Sequence, residues 1–305
     1  MTVHIVMTPS LMQERRHFKE ASVTNGFPGL TNSGSLLGAN PNTEEVIRNT
    51  EAAREVVLKM ADMLDGLSDT SIPVPRSEWN VGEHGAHIAF ANIGFGMFAM
   101  GLEYPYSDGT QAGLAEENEV SLIGFPEREG SALAQHLRSG IDNFIGTARA
   151  GDPDQVVSTP LGKMPLGTLS SYFLIHNLMH GCAISSALNH DFPVEPEHLP
   201  MLWPLVVAKF NQFVNLRASR GVEGTVHVSV PGYLETTFKM ENSYLTILPG
   251  AEGTADCRVE ADATHFFLVL IKLLSVPEAI DLGYVKTSGS NPFLFGRIMN
   301  AVDVP

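Results

Sequence analysis

The chain has 305 residues, of which 44% are hydrophobic and 17% are charged, and its formal net charge is −15. This composition excludes a disordered chain, and the length favours two domains over a single core. The acidic balance disfavours binding to nucleic acid or to anionic membrane surfaces, because both are negatively charged.

The cysteine content and the apolar runs indicate the compartment. Cys182 and Cys257 are too few for a disulfide framework. Residues 1–20 lack the basic segment followed by an apolar segment that a signal peptide needs. The longest apolar run, 266–274, contains Lys272 and falls short of the ~20 apolar residues that span a bilayer. We therefore expect a cytoplasmic protein without a membrane partner.

Residues 1–42 predict an irregular N-terminal extension. Its second half, 25–42, is rich in Gly, Asn, Ser and Pro, which favour turns over helices. We interpret it as a loosely packed arm. A lid over a pocket and a dimer strap are the alternatives.

Residues 43–195 predict a helical bundle. The first helix begins at Asn42 or Thr43, with carboxylates in its first turn, and helical spacing continues to about Leu67. Further helices are predicted at about 79–100, 129–150 and 166–188. Four helices of this length, joined by short and long connections, indicate a four-helix bundle.

Residues 196–305 predict a second, α+β domain. A helix at about 197–219 leads into alternating segments at 225–230, 234–240, 244–248 and 255–261, which predict strands. A helix at 264–274, a short amphipathic piece at 276–280, an extended segment at 284–288 and a helix near 292–302 follow. Strands followed by helices are typical of an α+β domain, and we place the boundary near 195.

Two histidines of the fourth predicted helix lie on its apolar face. His176 and His180 are four residues apart and share that face with Tyr172 and Phe173. A buried imidazole nitrogen without a partner costs ~1–3 kcal/mol, and a metal ion would satisfy both rings. The alternative is that each ring bonds to a backbone carbonyl or to water within the core.

A third ligand is expected from the second predicted helix. His87 and His84 lie three residues apart on nearly the same face, and spacing alone does not choose between them. Three imidazoles with an open fourth position are typical of catalytic zinc, although nitrogen ligands also suit nickel, iron and copper. Cys182 turns about 200° away from His180, which favours a buried core position for its thiol.

Three sequence segments carry a resemblance to a known family. Trp79-Asn-Val-Gly-Glu with His87 eight residues after the tryptophan, and His176-x-x-x-His180-Gly181, together resemble the DinB-like metalloenzymes, and within them the mycothiol-dependent maleylpyruvate isomerase family. Residues 276–289 resemble the closing motif of sterol-carrier-protein-like domains, which follow the bundle in that family. The resemblance covers about residues 43–303, and it implies a DinB-like four-helix bundle followed by a small α+β sterol-carrier-like domain.

The resemblance also implies a site and a reaction. It assigns zinc to His87, His176 and His180, and it leaves His84 to a supporting position or to the core. Members of the family use the thiol mycothiol to isomerise maleylpyruvate or to attack other electrophiles. The chain departs from the family at His176, where the isomerase has glutamate, and at Cys182 and Ala183, where tryptophan and aspartate are frequent.

We therefore expect a metal-dependent, thiol-assisted cis–trans isomerase or thiol S-transferase. Its substrate would be a small electrophilic carboxylated molecule, attacked by a metal-bound thiolate in a monomer or homodimer. The alternatives are a metal-hydroxide hydrolase or lyase, and a non-catalytic protein with an apolar ligand in the second domain. The cations able to hold a substrate carboxylate there are Arg217, Arg220, Lys239, Arg258, Lys286 and Arg297.

Overall fold

The computed structural model describes residues 38–104, 106–192, 194–251 and 253–304. Nearly all of the predicted N-terminal extension, and with it the lid or strap, lies outside these residues. All described residues belong to one compact unit. Within them, every helix is too short or too polar to cross a bilayer.

The first half of the described chain consists mainly of helices. These are α1 (Thr43–Leu64), α2 (Val81–Ala99), α3 (Gln111–Gly124), α4 (Gly130–Ala150) and α5 (Leu166–Leu188). The helices α1 and α2 both pack against α4 and α5, which gives the predicted four-helix arrangement. Capping boxes fix the first residues of α1 and α2, through Asn42 with Glu45 and Asn80 with Glu83.

Two elements of this half were not expected from the sequence. The helix α3 begins at a Thr110 cap, whose side chain accepts the Gly113 N–H, and it packs against α2. A short antiparallel hairpin, β1 (Val156–Thr159) with β2 (Gly162–Pro165), joins α4 to α5. The buried Lys209 amine donates to the carbonyls of Leu161 and Lys163 at 2.7 and 3.1 Å and so holds this hairpin.

The helix α5 is buried on nearly every side. The sequence predicted one buried stripe, but residues outside that stripe, among them Ser170, Leu174, Asn177 and Leu178, are also buried. These residues are buried because α1, α2, α4 and α6 all pack against α5. The two histidines of α5 therefore lie in the interior of the bundle.

The second half of the described chain folds as a sheet with helices. Its elements are α6 (His198–Lys209), a 3₁₀ turn (Phe210–Phe213), β3 (Gly224–Val230), β4 (Leu234–Glu241), β5 (Tyr244–Pro249), β6 (Cys257–Ala261), α7 (Ala263–Leu270), α8 (Val276–Asp281), β7 (Val285–Ser288) and α9 (Leu294–Asn300). The strand order is β5-β4-β3-β6-β7. Only β3 and β6 run parallel, with Val226 opposite Cys257.

One face of this sheet is buried under aromatic side chains. Inward and outward residues alternate along β6, where Cys257, Val259 and Ala261 are buried. Trp203 of α6 stacks on Phe238 of β4 with ring centroids 6.2 Å apart. Phe266 and Phe295 stack beside them. These rings are fully buried and belong to the hydrophobic core of the sheet.

The predicted helix at 197–219 is too long. The helix α6 ends at Lys209, and the chain then turns at Phe210–Phe213. The Asn215 side chain accepts the N–H groups of Arg217 and Ala218, and the Asn215 N–H donates to the Ala301 carbonyl. These bonds satisfy the backbone in a turn, which competes with continuation of the helix.

Two hydrophobic cores meet at α7. Phe267 and Ile271 belong to the core of the bundle, whereas Phe266 and Leu270 belong to the core of the sheet. Arg76, which precedes α2, donates to the Leu273 carbonyl and pairs with Glu278. The fold is therefore mixed helix and sheet, and the domain boundary near 195 stays a prediction.

Two glycines of α4 allow a matched test of this packing. A β-carbon at Gly130 would collide with the Leu64 carbonyl oxygen and lie 3.0 Å from that of Leu67, whereas one at the exposed Gly146 would meet nothing within 4 Å. We expect Gly130→Ala to lower the free energy of unfolding by about 1–3 kcal/mol. Gly146→Ala should raise it by about 0.5–1 kcal/mol, because alanine favours the helix. Urea unfolding followed by circular dichroism measures both changes, and a stabilising Gly130→Ala would contradict the described α1–α4 contact.

Candidate metal centre

Three histidines from two helices converge inside the bundle. His87 lies on α2, and His176 and His180 lie one turn apart on α5. All three are buried, and one potential ligand atom from each lies within 4.8 Å of the others. The Nε2 atoms of His87 and His176 are 3.1 Å apart. The structure thus brings together the three side chains that the sequence analysis assigned to a metal.

The spacing of these nitrogens suits a shared ion. Zinc binds imidazole nitrogen at about 2.0–2.1 Å, so two nitrogens at a tetrahedral zinc lie roughly 3.3–3.4 Å apart. The His87–His176 separation of 3.1 Å is close to this value. Small side-chain rotations therefore suffice to place both nitrogens at bonding distance.

Burial keeps these imidazoles neutral. It lowers the pKa of His176 from 6.5 to about 4. It also holds the pKa values of His87 and His180 well below 6.5, with a further contribution from the charge that a neighbouring histidine would carry. Neutral imidazoles have the free lone pair that a metal ligand needs.

The hydrogen bonds among these rings leave polar atoms unsatisfied. The Nδ1 atoms of His87 and His176 are buried and have no partner among the described residues. A single Nε2–Nε2 hydrogen bond would leave both rings half satisfied, at a cost of ~1–3 kcal/mol for each orphaned atom. Buried polar groups without partners call for a structural or functional explanation. A divalent cation would bind the two Nε2 atoms, which are paired only with each other, and the neutral rings would keep their protons on Nδ1.

A reciprocal amide pair fixes the two helices at this level. Asn92 of α2 and Asn177 of α5 donate to each other at 3.2 and 3.1 Å, and both are fully buried. Asn177 also donates to the Phe173 carbonyl at 2.8 Å. Sliding α2 along α5 would break both bonds inside the core, so this pair holds the register that places His87 opposite His176.

A fourth imidazole lies beside the three. His84 is buried, its Nδ1 is 3.0 Å from His180 Nδ1, and its Nε2 is 2.9 Å from the Ser77 hydroxyl. The sequence analysis left His84 to a supporting position or to the core, and it did not identify Ser77. The only signal for Ser77 was its place just before the Trp79 motif.

Aromatic side chains line the histidine cluster. The Trp79 ring lies 5.3 Å from His84 and 5.0 Å from His87, and its Nε1 donates to Glu119 of α3. The ring of Phe95, on α2, lies 5.4 Å from that of His176. Tyr172 contacts the same ring edge-on at 6.2 Å, and burial raises the pKa of its hydroxyl. Trp79, the first residue of the sequence motif, thus packs against the histidines themselves.

The residues that follow His180 have structural roles. A β-carbon on Gly181 would collide with the Phe192 ring, so glycine permits this close approach. The Cys182 thiol is buried, and burial raises its pKa to about 12, which keeps it protonated at neutral pH. Cys182 thus occupies the core position that its spacing predicted.

The six candidate cations of the second half are all exposed. Lys239 pairs with Glu241, and Lys286 pairs with Glu260. Arg297 donates to the Gly221 carbonyl. These three already have partners, and a role for any of the six in binding a substrate carboxylate stays a prediction.

Comparison with known proteins finds similar solved structures. No protein-family model matches the chain, and no curated protein matches it. Among solved structures, it is similar to the mycothiol-dependent maleylpyruvate isomerase, with a TM-score of 0.48 and 14% identity over 75% of this chain and 88% of that one. A point mutant of that isomerase gives a TM-score of 0.49 and 11% identity over the same shares. The ubiquinone synthesis protein UbiJ-SCP2 covers 36% of this chain and 91% of its own, with a TM-score of 0.27 and 17% identity. The structural neighbours thus include the enzyme whose family the histidine motifs resemble.

Proposed function

We propose that the chain is a metal-dependent enzyme in which His87, His176 and His180 hold one divalent cation. The observation that carries this proposal is the convergence of three buried, neutral imidazoles within 4.8 Å. Zinc is the preferred ion because three nitrogen ligands with an open fourth position are its usual catalytic environment. Nickel and iron fit the same donor set.

The protein contributes a dry and rigid environment. The ligands are carried by α2 and α5, whose register the Asn92–Asn177 pair fixes. Trp79 packs against His87, and Phe95 packs against His176. Because all three ligands are neutral, the charge of the cation is not offset by a carboxylate, and this favours an anionic fourth partner.

We propose thiol-dependent isomerisation as the reaction, with thiol S-transfer as its close variant. His87, His176 and His180 would hold the cation, which would lower the pKa of a bound thiol and so supply a thiolate nucleophile. Addition of a thiolate to an electron-poor double bond permits rotation, and elimination restores the alkene in the trans form. Mycothiol is the proposed cosubstrate and a small electrophilic carboxylic acid the proposed substrate. The resemblance of the segments around Trp79, His176 and Val276 supports this choice.

Metal content is the first test of the proposal. We expect about one zinc per chain in purified wild-type protein and almost none in His180→Ala, because two imidazoles bind zinc far more weakly than three. Elemental analysis by mass spectrometry measures both. The control is His190→Ala, an exposed histidine outside the cluster, which should retain the wild-type content. Equal metal in His180→Ala and wild type would reject the site.

Dependence on thiol is the second test. With maleylpyruvate as substrate, we expect cis–trans conversion only when mycothiol is added, and a fall of more than about 100-fold in His87→Ala. Loss of the maleyl absorbance measures the rate. Metal-dependent turnover of an ester or amide without thiol would instead identify a hydrolase. A metal-loaded protein inactive in both assays would favour the non-catalytic alternative.

The neutral imidazoles also predict how stability depends on pH. The pKa of His176 is about 4 in the folded state, against 6.5 for a solvated histidine, so the unfolded chain binds more protons between these values. The contribution of His176 to the free energy of unfolding is therefore fully present above pH 6.5 and is lost as the pH falls towards 4. For metal-free protein, we expect His176→Leu to flatten this dependence by up to about 1.4 kcal/mol per pH unit. Urea unfolding across the range measures both proteins, and identical slopes would contradict a buried neutral His176.

A further inference from the structure

Both ring nitrogens of His84 have partners, whereas the Nδ1 atoms of His87 and His176 have none among the described residues. Its Nδ1 lies 3.0 Å from His180 Nδ1, and its Nε2 lies 2.9 Å from Ser77 Oγ. Ser77 is exposed, and its hydroxyl also accepts the Trp79 N–H at 3.1 Å. A continuous chain of hydrogen bonds thus runs from His180 in the interior to a hydroxyl at the surface.

The contact between two Nδ1 atoms restricts the tautomers of both rings. Two ring nitrogens 3.0 Å apart need one N–H and one lone pair between them, and a neutral imidazole carries a single N–H. If His180 donates from Nδ1, its Nε2 bears a lone pair, and His84 carries its proton on Nε2 and donates it to Ser77. If His84 donates instead, the proton of His180 lies on Nε2, and that nitrogen is unable to bind a metal.

We propose that His84 is a positioning residue, which accepts the Nδ1 proton of His180 and thereby holds His180 as an Nε2 ligand. This inference rests on the proposed metal centre. Ligating histidines usually donate their second ring nitrogen to a carboxylate or carbonyl, which fixes the ring and raises its basicity. Here an imidazole takes that place, and Ser77 orients it in turn.

The residues around His180 support the assignment of His84 as the acceptor of its Nδ1 proton. Cys182, which follows the Gly181 position, is a buried and protonated thiol rather than a carboxylate. Among the described residues, the Nδ1 atoms of His87 and His176 have no partner. Among the described residues outside the group of three, His84 is thus the one whose side chain makes a hydrogen-bond contact with the ring of a proposed ligand.

The test compares two replacements of His84, by asparagine and by leucine, whose side chains have the same shape as each other. In His84→Asn, the side-chain Oδ1 is attached to Cγ, as Nδ1 is in histidine, and it still accepts the His180 proton. His84→Leu has the same shape and no acceptor. We expect the zinc dissociation constant to rise by about 10–100-fold in His84→Leu and to stay within a few-fold of wild type in His84→Asn. Competition with a chromophoric chelator, with zinc as the only added metal, measures the constant.

Controls separate this inference from folding and from the metal centre itself. His198→Leu removes a buried histidine that bonds to the Glu195 N–H outside the cluster, and it should leave zinc affinity unchanged. Equal affinity in wild type, His84→Asn and His84→Leu would overturn the role of His84 while leaving the metal centre intact. Equal weakening in both His84 variants would also overturn it. Absence of zinc binding in wild type would reject the proposed function and the inference with it.

A spectroscopic readout does not depend on the folding of His84→Leu. In zinc-loaded wild-type protein with ¹⁵N-labelled histidine, long-range ¹H–¹⁵N correlations report which ring nitrogen carries the proton. We expect His180 to be protonated on Nδ1 and His84 on Nε2. A proton on His180 Nε2 would overturn the proposal.

Discussion

The cost of burying imidazoles in an apolar interior governs the centre of this molecule. Four histidines share a small volume between α2 and α5, where a charged ring would be strongly destabilised. Each ring is therefore neutral, and each of its nitrogens needs a partner. His84 has two partners, whereas the Nδ1 atoms of His87 and His176 have none among the described residues. The neutral rings thus keep lone pairs that a bound cation could use.

The scaffold around the cluster is consistent with that requirement. The helix α5 is enclosed by other helices, and a reciprocal amide pair fixes its register against α2. Gly181 lets Phe192 approach the backbone directly after His180. Sites built on packed helices hold their side chains more rigidly than sites on loops. The polar groups of the bundle interior thus serve to orient the imidazoles.

Much of this arrangement was predictable because it is local. Caps and apolar periodicity located α1, α2, α4 and α5 to within a few residues, and period-two alternation located β3, β4, β5 and β6. The helix α3 was missed because its apolar residues do not concentrate on one face, whereas those of α1 and α4 do. The end of α6 was placed too late because Asn215 bonds to the backbone of a turn that depends on Ala301, far away in sequence.

The site was only partly predictable for a related reason. The spacing of His176 and His180 indicates a shared face, and helix geometry requires this. The choice of His87 over His84 came from the resemblance, since both point in nearly the same direction from α2. What separates them is the long-range contact of His84 with His180 and Ser77. The number of residues between two side chains does not encode such a contact.

The helix α7 connects the two cores in a way that affects how the molecule comes apart. Phe267 and Ile271 insert into the bundle, while Phe266 and Leu270 insert into the sheet. Removing the sheet would therefore strip two large apolar side chains from the bundle, and neither half could melt without exposing part of the other. The two cores are thus expected to behave as a single cooperative unit. A destabilising mutation in the sheet, far from the histidine cluster, would then lower the fraction of molecules in which the cluster is intact.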